Sequence, residues 1–262
     1  MTNGTYNIEV RFSGGLTATQ QAVFQSAAGR WSQIITADVP RFRINGDVID
    51  DVVIEAAGLR IDGDRGVLGR AGPTHVRPLS LLPAKGVMEF DTADLERMEI
   101  DGSLENVIIH EMGHVLGMGT LWRRKGLLLG AGTANPRFVG RNAMREFATL
   151  IGSDTPTPVP VENRGGPGTR EGHWREFVLA NELMTGFLNI GPNPVSRVTI
   201  AALQDMGYRV NLDTAEDFTI PSSFLELAMM GIGAVEHPQG CLMAGAQRRG
   251  MELEVLPEDA EV

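Results

Sequence analysis

Two histidines four residues apart, with a glutamate directly after the first, are the side chains here best suited to chemistry: His110-Glu111-Met112-Gly113-His114. On an α-helix, positions i and i+4 lie one above the other on one face, so His110 and His114 can aim ring nitrogens at one metal ion. Glu111 falls on an adjacent part of that surface, where its carboxylate can reach a water at the metal rather than the metal itself. This is the layout of a metallopeptidase zinc helix. Val107, Ile108, Ile109, Val115 and Leu116 make the segment apolar round most of its circumference, as a buried helix beneath a cleft is. Histidine and glutamate in so apolar a run are costly unless a ligand engages them.

A catalytic zinc takes three protein ligands and keeps a position open for water. His75, His173 and His237 are the remaining histidines. The compact pattern HExxHxxGxxH puts its third ligand at position 120, which here is Thr120, although Gly117 is kept. Glycine lets a chain leave a helix sharply through a left-handed conformation, so the turn survives while the third ligand is displaced. Of the three histidines, His173 has the most informative surroundings, EGHWREFVLANELMTGFLN, with Met184 following in the turn-like ELMTG.

At these residues the chain resembles the leishmanolysin family of metzincin zinc peptidases. DDVVIEAAGLRIDG, GVLGRAGPT, GVMEFDTADL, VPVENRGGPGT and VTIAALQDMGY resemble it too, so the likeness runs from about residue 50 to residue 215. In that family an insertion separates HExxHxxG from the third histidine, and a methionine turn lies beneath the metal. The resemblance therefore implies Zn²⁺ on His110, His114 and His173, with Glu111 as general base and acid, and Gly117 and Met184 shaping the site. It implies a zinc endopeptidase acting on protein or peptide substrates. It also implies a two-lobed α+β fold in a single catalytic domain. Residues 1–117 would carry a twisted mixed sheet, a backing helix and the metal helix; residues 118–262 would carry His173, the methionine turn and further helices. GVMEFD is expected to be the upper edge strand of the cleft, so that Gly86, Val87, Met88, Glu89 and Phe90 pair with substrate backbone. Family members with eukaryotic surface locations are rich in disulfides; the single Cys241 makes this chain look like a bacterial relative.

Two other readings use the same residues. In a thermolysin-like peptidase Glu182, in ANELM, would be the third ligand. In a non-catalytic zinc-containing binding module the metal would be structural, but such sites are normally closed by four ligands, often cysteines.

The elements that must position these groups are partly readable. Residues 6–12 alternate as a strand, and a helix over 17–35 with Thr17 as N-cap should back the sheet. VVIEAAGL reads as a central strand, GPTHVRP as a loop holding His75, and the metal helix should begin near Ser103 with an incomplete capping box. Residues 142–151, 196–206 and 222–230 read as helices, Tyr208 to Leu212 as a short strand. Ser153 to Gly172 reads as the loop that returns His173 to the metal. Asp62-Gly63-Asp64, with Gly66 behind, reads as a tight turn; Ca²⁺ there is a second metal candidate, but calcium needs about six or more oxygens.

A chain of 262 residues has room for a substantial core. A formal charge of −10 argues against nucleic acid as a partner. The absence of any long apolar run excludes an ordinary membrane span. MTNGTYNIEVRF lacks the layout of a secretory signal, so residence in the cell or non-classical export is expected, whereas the resemblance favours an extracellular site. Cys241 excludes an intrachain disulfide; it is either a small buried hydrophobe or part of a tail that docks in the cleft. Oligomeric state leaves no signature in these residues.

Overall fold

The structure is a computed structural model that describes residues 5–61, 63, 69–166, 168–188, 191–220, 241–242 and 253–261. Its first part is built on strand β1 (Ile8–Phe12), helix α1 (Ala18–Ile34), the hairpin β2 (Phe42–Ile44) and β3 (Asp47–Ile49), and strands β4 (Val52–Leu59), β5 (Gly69–Val76) and β6 (Pro83–Asp91). Helices α2 (Thr92–Asp101) and α3 (Leu104–Val115) follow. The second part holds β7 (Leu128–Leu129), β8 (Arg137–Phe138), α4 (Arg141–Leu150), β9 (Val159–Pro160), α5 (Glu176–Leu179), β10 (Phe187–Leu188), α6 (Arg197–Met206), β11 (Cys241–Leu242) and β12 (Glu254–Val255). Mixed α and β structure agrees with the expected α+β class.

The main sheet has the order β1-β4-β6-β5-β12. β1, β4 and β6 run parallel, β5 runs antiparallel to β6, and β12 pairs with the far end of β5 at His75 and Val76. Two expectations fail here. GPTHVRP is not a loop: most of it is strand β5, whose Pro73 is tolerated beside an edge that is open among the described residues, because no ladder donor is needed on that side. Nor is GVMEFD an edge strand. β6 pairs with β4 from Lys85 to Asp91 and with β5 from Pro83 to Phe90, so residues 86–90 have a partner strand on both sides. They cannot offer their backbone to a substrate.

Helix α1 begins where the sequence places it. Thr17 accepts from Gln20 N while the Gln20 side chain accepts from Thr17 N, a complete capping box. It lays Phe24, Trp31 and Ile34 into a core shared with Met88 and Phe90 of β6 and Val107, Ile108, Met112 and Val115 of α3. Burying each such large side chain contributes about 1.5–3 kcal/mol. Helix α3 sits directly on the sheet: a Cβ added at Gly86 would lie 2.4 Å from a Val115 methyl group. Trp31 Nε1 donates to Ile109 O at 3.0 Å, tying α1 to the metal helix.

Helix α2 is an addition to the sequence reading. Asp91 caps it by accepting from Ala93 N and also holds Ile61 N and Gly63 N, while Gly102 ends it in a left-handed conformation. Ser103 precedes α3 without a side-chain cap bond, as the incomplete capping box implied. In the second part, Asp205 at the end of α6 accepts from Asn142 N and Ala143 N and so caps α4. The segment expected as a strand over Tyr208 to Leu212 makes only one bridge, Val210 with Ile35, before a short 3-10 turn. The expected helix over 222–230, and Asp62, Asp64 and Gly66 of the calcium candidate, lie outside the described residues.

Candidate metal centre

Helix α3 runs through the core and is buried along almost its whole length, so its polar side chains need a reason to be there. His110 and His114 point their Nε2 atoms at one spot, 2.9 Å apart. His173 Nε2 joins them at 3.1 Å from His110 and 3.0 Å from His114. All three rings are buried. Three nitrogens at about 2.0–2.1 Å from one ion in tetrahedral directions would lie roughly 3.3 Å apart, so this cluster has the size of a zinc tripod.

The other ring nitrogens decide the protonation. His110 Nδ1 donates to Leu183 O at 2.6 Å, His114 Nδ1 to Met118 O at 2.8 Å and His173 Nδ1 to Thr169 O at 2.9 Å. A carbonyl only accepts, so each Nδ1 carries the proton and each Nε2 presents a lone pair to the other two. Burial also pushes the imidazoliums below their ordinary range, His114 to about 4 and His173 to about 3, so all three are neutral at pH 7. Three converging lone pairs repel unless a cation sits among them. Neutral imidazole is a first-rate zinc ligand, and the residues present fit that ion.

Glycine brings His173 into place. Gly117 takes φ +104° and ends the helix one turn after His114. Gly119 follows at φ +72°, and a Cβ there would lie 1.8 Å from Gly172 O. Backbone therefore packs against backbone just before His173, an approach that any side chain at 119 would block. The returning loop is stiffened by buried Glu162, whose carboxylate accepts from Asn163 N, Arg164 N and Glu176 N, while Glu162 N donates to His173 O. Gly119, Gly172, Glu162 and the Thr169 carbonyl are parts of the site that the sequence does not announce. Only the second glycine so soon after Gly117 hints at them.

Glu111, on the same turn as His110, is fully buried. Neither of its oxygens has a hydrogen-bond partner among the described residues, and burial pushes its carboxyl up to about 8. Met184 packs under the helix: a Cβ at Gly113 would meet its Sδ at 2.9 Å and Cε at 3.2 Å. Glu182 is not a ligand. It lies outside the three-histidine cluster, and its oxygens accept from Met184 N, Ser196 N, Ser196 Oγ and Thr199 Oγ1. His75 is also elsewhere, on β5 with Nε2 3.2 Å from Glu254, and His237 lies outside the described residues.

Comparison with known proteins bears on this geometry. Residues 51–223 match the family model described as leishmanolysin, a stretch that covers β4 through α6 and every residue of the cluster. The chain belongs to the leishmanolysin family. Leishmanolysins are zinc metallopeptidases, which agrees with the cluster. A leishmanolysin homolog of Crithidia fasciculata is 27% identical over 142 residues, 51% of this chain and 21% of that protein. A leishmanolysin-like peptidase of Drosophila melanogaster is 42% identical over 60 residues, 22% of this chain and 9% of that protein. The corresponding protein of Drosophila pseudoobscura pseudoobscura is 43% identical over 56 residues, 21% and 8% of the two chains. This leishmanolysin-family chain thus spans about a fifth or less of the curated relatives it matches.

Both tyrosines are buried, and Tyr208 Oη donates to Leu116 O at 3.0 Å, behind the helix. Position 186, two residues after Met184, is glycine and lies against Thr169 and His173. Neither tyrosine is presented to the cluster from that turn. No helix among the described residues is long and apolar enough to cross a membrane.

Proposed function

We propose that this chain is a zinc endopeptidase in which His110, His114 and His173 hold the ion and Glu111 moves the proton. The observation that carries the reading is the convergence of three lone-pair nitrogens within 3.1 Å of one another, two from helix α3 and one from the returning loop, beside a buried carboxylate of α3 that has no hydrogen-bond partner among the described residues. Zinc, when bound, supplies a Lewis acid that lowers the pKa of a coordinated water and polarises the scissile carbonyl. The chain's own residues do the rest. Leu183 O, Met118 O and Thr169 O hold the three imidazoles in the Nδ1–H tautomer. Glu111 accepts the proton of the attacking water as the new C–O bond forms, and delivers it to the amine nitrogen as the C–N bond breaks. Its lack of hydrogen-bond partners among the described residues suits a group that must exchange protons with water and substrate.

The substrate backbone would lie along β5. Its far side is paired only at His75 and Val76, by β12, so Gly69 to Pro73 present an open edge among the described residues. An extended peptide can add to such an edge. The role expected of residues 86–90 thus moves one strand outward. The cleft would separate residues 1–117 from residues 118–262 within one catalytic domain. One hydrophobic core runs through both, from Tyr6 to Tyr208, which supports treating them as a unit.

The test is bound metal by elemental analysis together with casein and quenched-peptide cleavage, for wild type, Glu111→Ala and His173→Ala. Expected are about one zinc per chain, no turnover in either variant, and metal loss mainly in His173→Ala. One zinc per chain without cleavage of any peptide by wild type would sink the peptidase reading and leave a zinc-containing binding module.

A further inference from the structure

We infer that Glu182 is a positioning residue for the metal centre: its buried carboxylate sets the Leu183–Met184 turn that orients His110 and braces the segment carrying His173. The inference rests on the zinc reading of the three histidines. Glu182 is fully buried, yet its neighbours supply donors from both sides. Oε2 accepts from Met184 N at 2.6 Å; Oε1 accepts from Ser196 N at 3.1 Å, Ser196 Oγ at 2.8 Å and Thr199 Oγ1 at 2.5 Å. One side chain therefore joins the turn to the start of α6. Leu183 N donates to Pro194 O and Thr185 N donates to Glu182 O, so the turn is closed on itself and anchored to the segment that leads into α6.

From this hub two chains of contacts reach the ligands. The first is short: the residue between Glu182 and Met184 is Leu183, whose carbonyl accepts from His110 Nδ1 at 2.6 Å. Fixing Met184 N fixes the Leu183–Met184 peptide plane and so the direction of that carbonyl. The second runs through Thr199, which also accepts from Trp174 Nε1 at 2.8 Å, while Trp174 N donates to Met184 O at 2.9 Å. Trp174 is the residue after His173 and stacks on Trp122 at 4.6 Å between ring centroids. The outer contact of one ligand, His110, and the residue next to another, His173, are thus referred to one carboxylate. Partners that orient metal-bound histidines carry much of a site's affinity.

Glutamine is the sharp substitution because it keeps the shape and changes the donor pattern. In either amide orientation one backbone N–H, of Met184 or of Ser196, faces an NH₂ and loses its acceptor. Glu182→Gln should weaken zinc about 10–100-fold, read as the dissociation constant in competition with a chelating indicator. A purely structural role would lower the thermal midpoint of the metal-free protein and leave the zinc constant at the wild-type value. That outcome overturns the inference. Should Glu182→Gln fail to fold, Thr199 gives a second route. Thr199→Val removes one donor to Glu182 and the acceptor of Trp174 Nε1, whereas Thr199→Ser keeps both. Expected are a weaker zinc constant in Thr199→Val and a wild-type value in Thr199→Ser; equal constants in the two overturn the inference. Failure of wild type itself to bind zinc would instead sink the underlying reading of the histidines.

Discussion

Glu111 and Glu182 are two fully buried carboxylates, one next to His110 on the metal helix and one next to Leu183, whose carbonyl holds His110, and their surroundings are opposite. Four donors converge on Glu182. None reaches Glu111 among the described residues. A buried carboxylate saturated with hydrogen bonds is rigid and stabilises the chain around it. One left bare is unfavourable for folding by itself, and such groups concentrate where chemistry is done. The difference separates holding from reacting. The same contrast extends to the rings, since every Nδ1 in the cluster is spent on a backbone carbonyl and every Nε2 is left free for a ligand.

The largest effect should come from the bare carboxylate. Glu111→Gln removes the proton acceptor without touching any hydrogen bond of the described residues, so kcat should fall by about 10²–10⁴-fold. Bound zinc should stay at the wild-type level, and the metal-free variant should be no less stable than wild type. A destabilised Glu111→Gln protein would mean that Glu111 is as well satisfied as Glu182 and would erase the contrast.

Next in size is the third ligand. For wild type at a free zinc concentration of 100 times its dissociation constant, linkage gives about 2.7 kcal/mol of added stability. In a protein of this size that is a rise of about 5–10 °C in Tm. His173→Ala should lose most of that rise, as scanning calorimetry with and without zinc would reveal. A full rise in the variant would place the third ligand outside the cluster.

Titration sharpens the comparison further. Burial pushes the Glu111 carboxyl from an ordinary 4.5 up to about 8 in the metal-free protein. Between those values the native state keeps a proton that the unfolded chain has released, so stability falls as pH rises through this window. A tenfold change in proton affinity corresponds to about 1.4 kcal/mol, which makes the whole effect on the order of a few kcal/mol. Glu111→Gln cannot titrate at this position, so subtracting its stability curve removes the histidine contributions and isolates the carboxyl. The difference should grow from pH 5 to pH 8 without metal and shrink with zinc present, because a nearby cation favours the carboxylate. A difference flat with pH would contradict the bare surroundings of Glu111.

How much of the molecule is legible in the sequence varies with how local the cause is. The metal helix is, because i and i+4 on an apolar helix is a one-dimensional pattern that survives without tertiary context. Helix α1 is, through Thr17 and Gln20. His173 needs the resemblance, since nothing within the segment itself says that the chain returns to the helix after β7, β8, α4 and β9. Strand β5 escapes a sequence reading because Gly72 and Pro73 look like turn chemistry. The sheet accepts them where one edge stays open among the described residues. The edge position expected of residues 86–90 rests on the resemblance, and β5, paired outside β6, moves that edge one strand outward. Glu182 reads as a candidate ligand on residue type alone. Its actual surroundings depend on Ser196 and Thr199, which reach it only after the chain has turned through Pro192 and Pro194.

The smallest effect should come from Met184→Leu. Gly113 leaves room on the helix for its thioether, with Trp31 Cζ2 also only 3.2 Å from where a Cβ would stand. If Met184 acts by filling that space, then shape matters and sulfur does not. Met184→Leu should cost less than about 1.5 kcal/mol and leave the zinc constant within about twofold of wild type. Gly113→Ala presses on Met184 and Trp31 together and should cost about 1–3 kcal/mol. Met184→Ala opens a cavity and should cost about 2–5 kcal/mol. In the double variant the new methyl group at 113 enters the space vacated at 184, so the combined loss should be smaller than the sum of the two. Strict additivity would mean that residues 113 and 184 do not share a contact. A large loss of zinc affinity in Met184→Leu alone would give the sulfur a part in the site beyond packing.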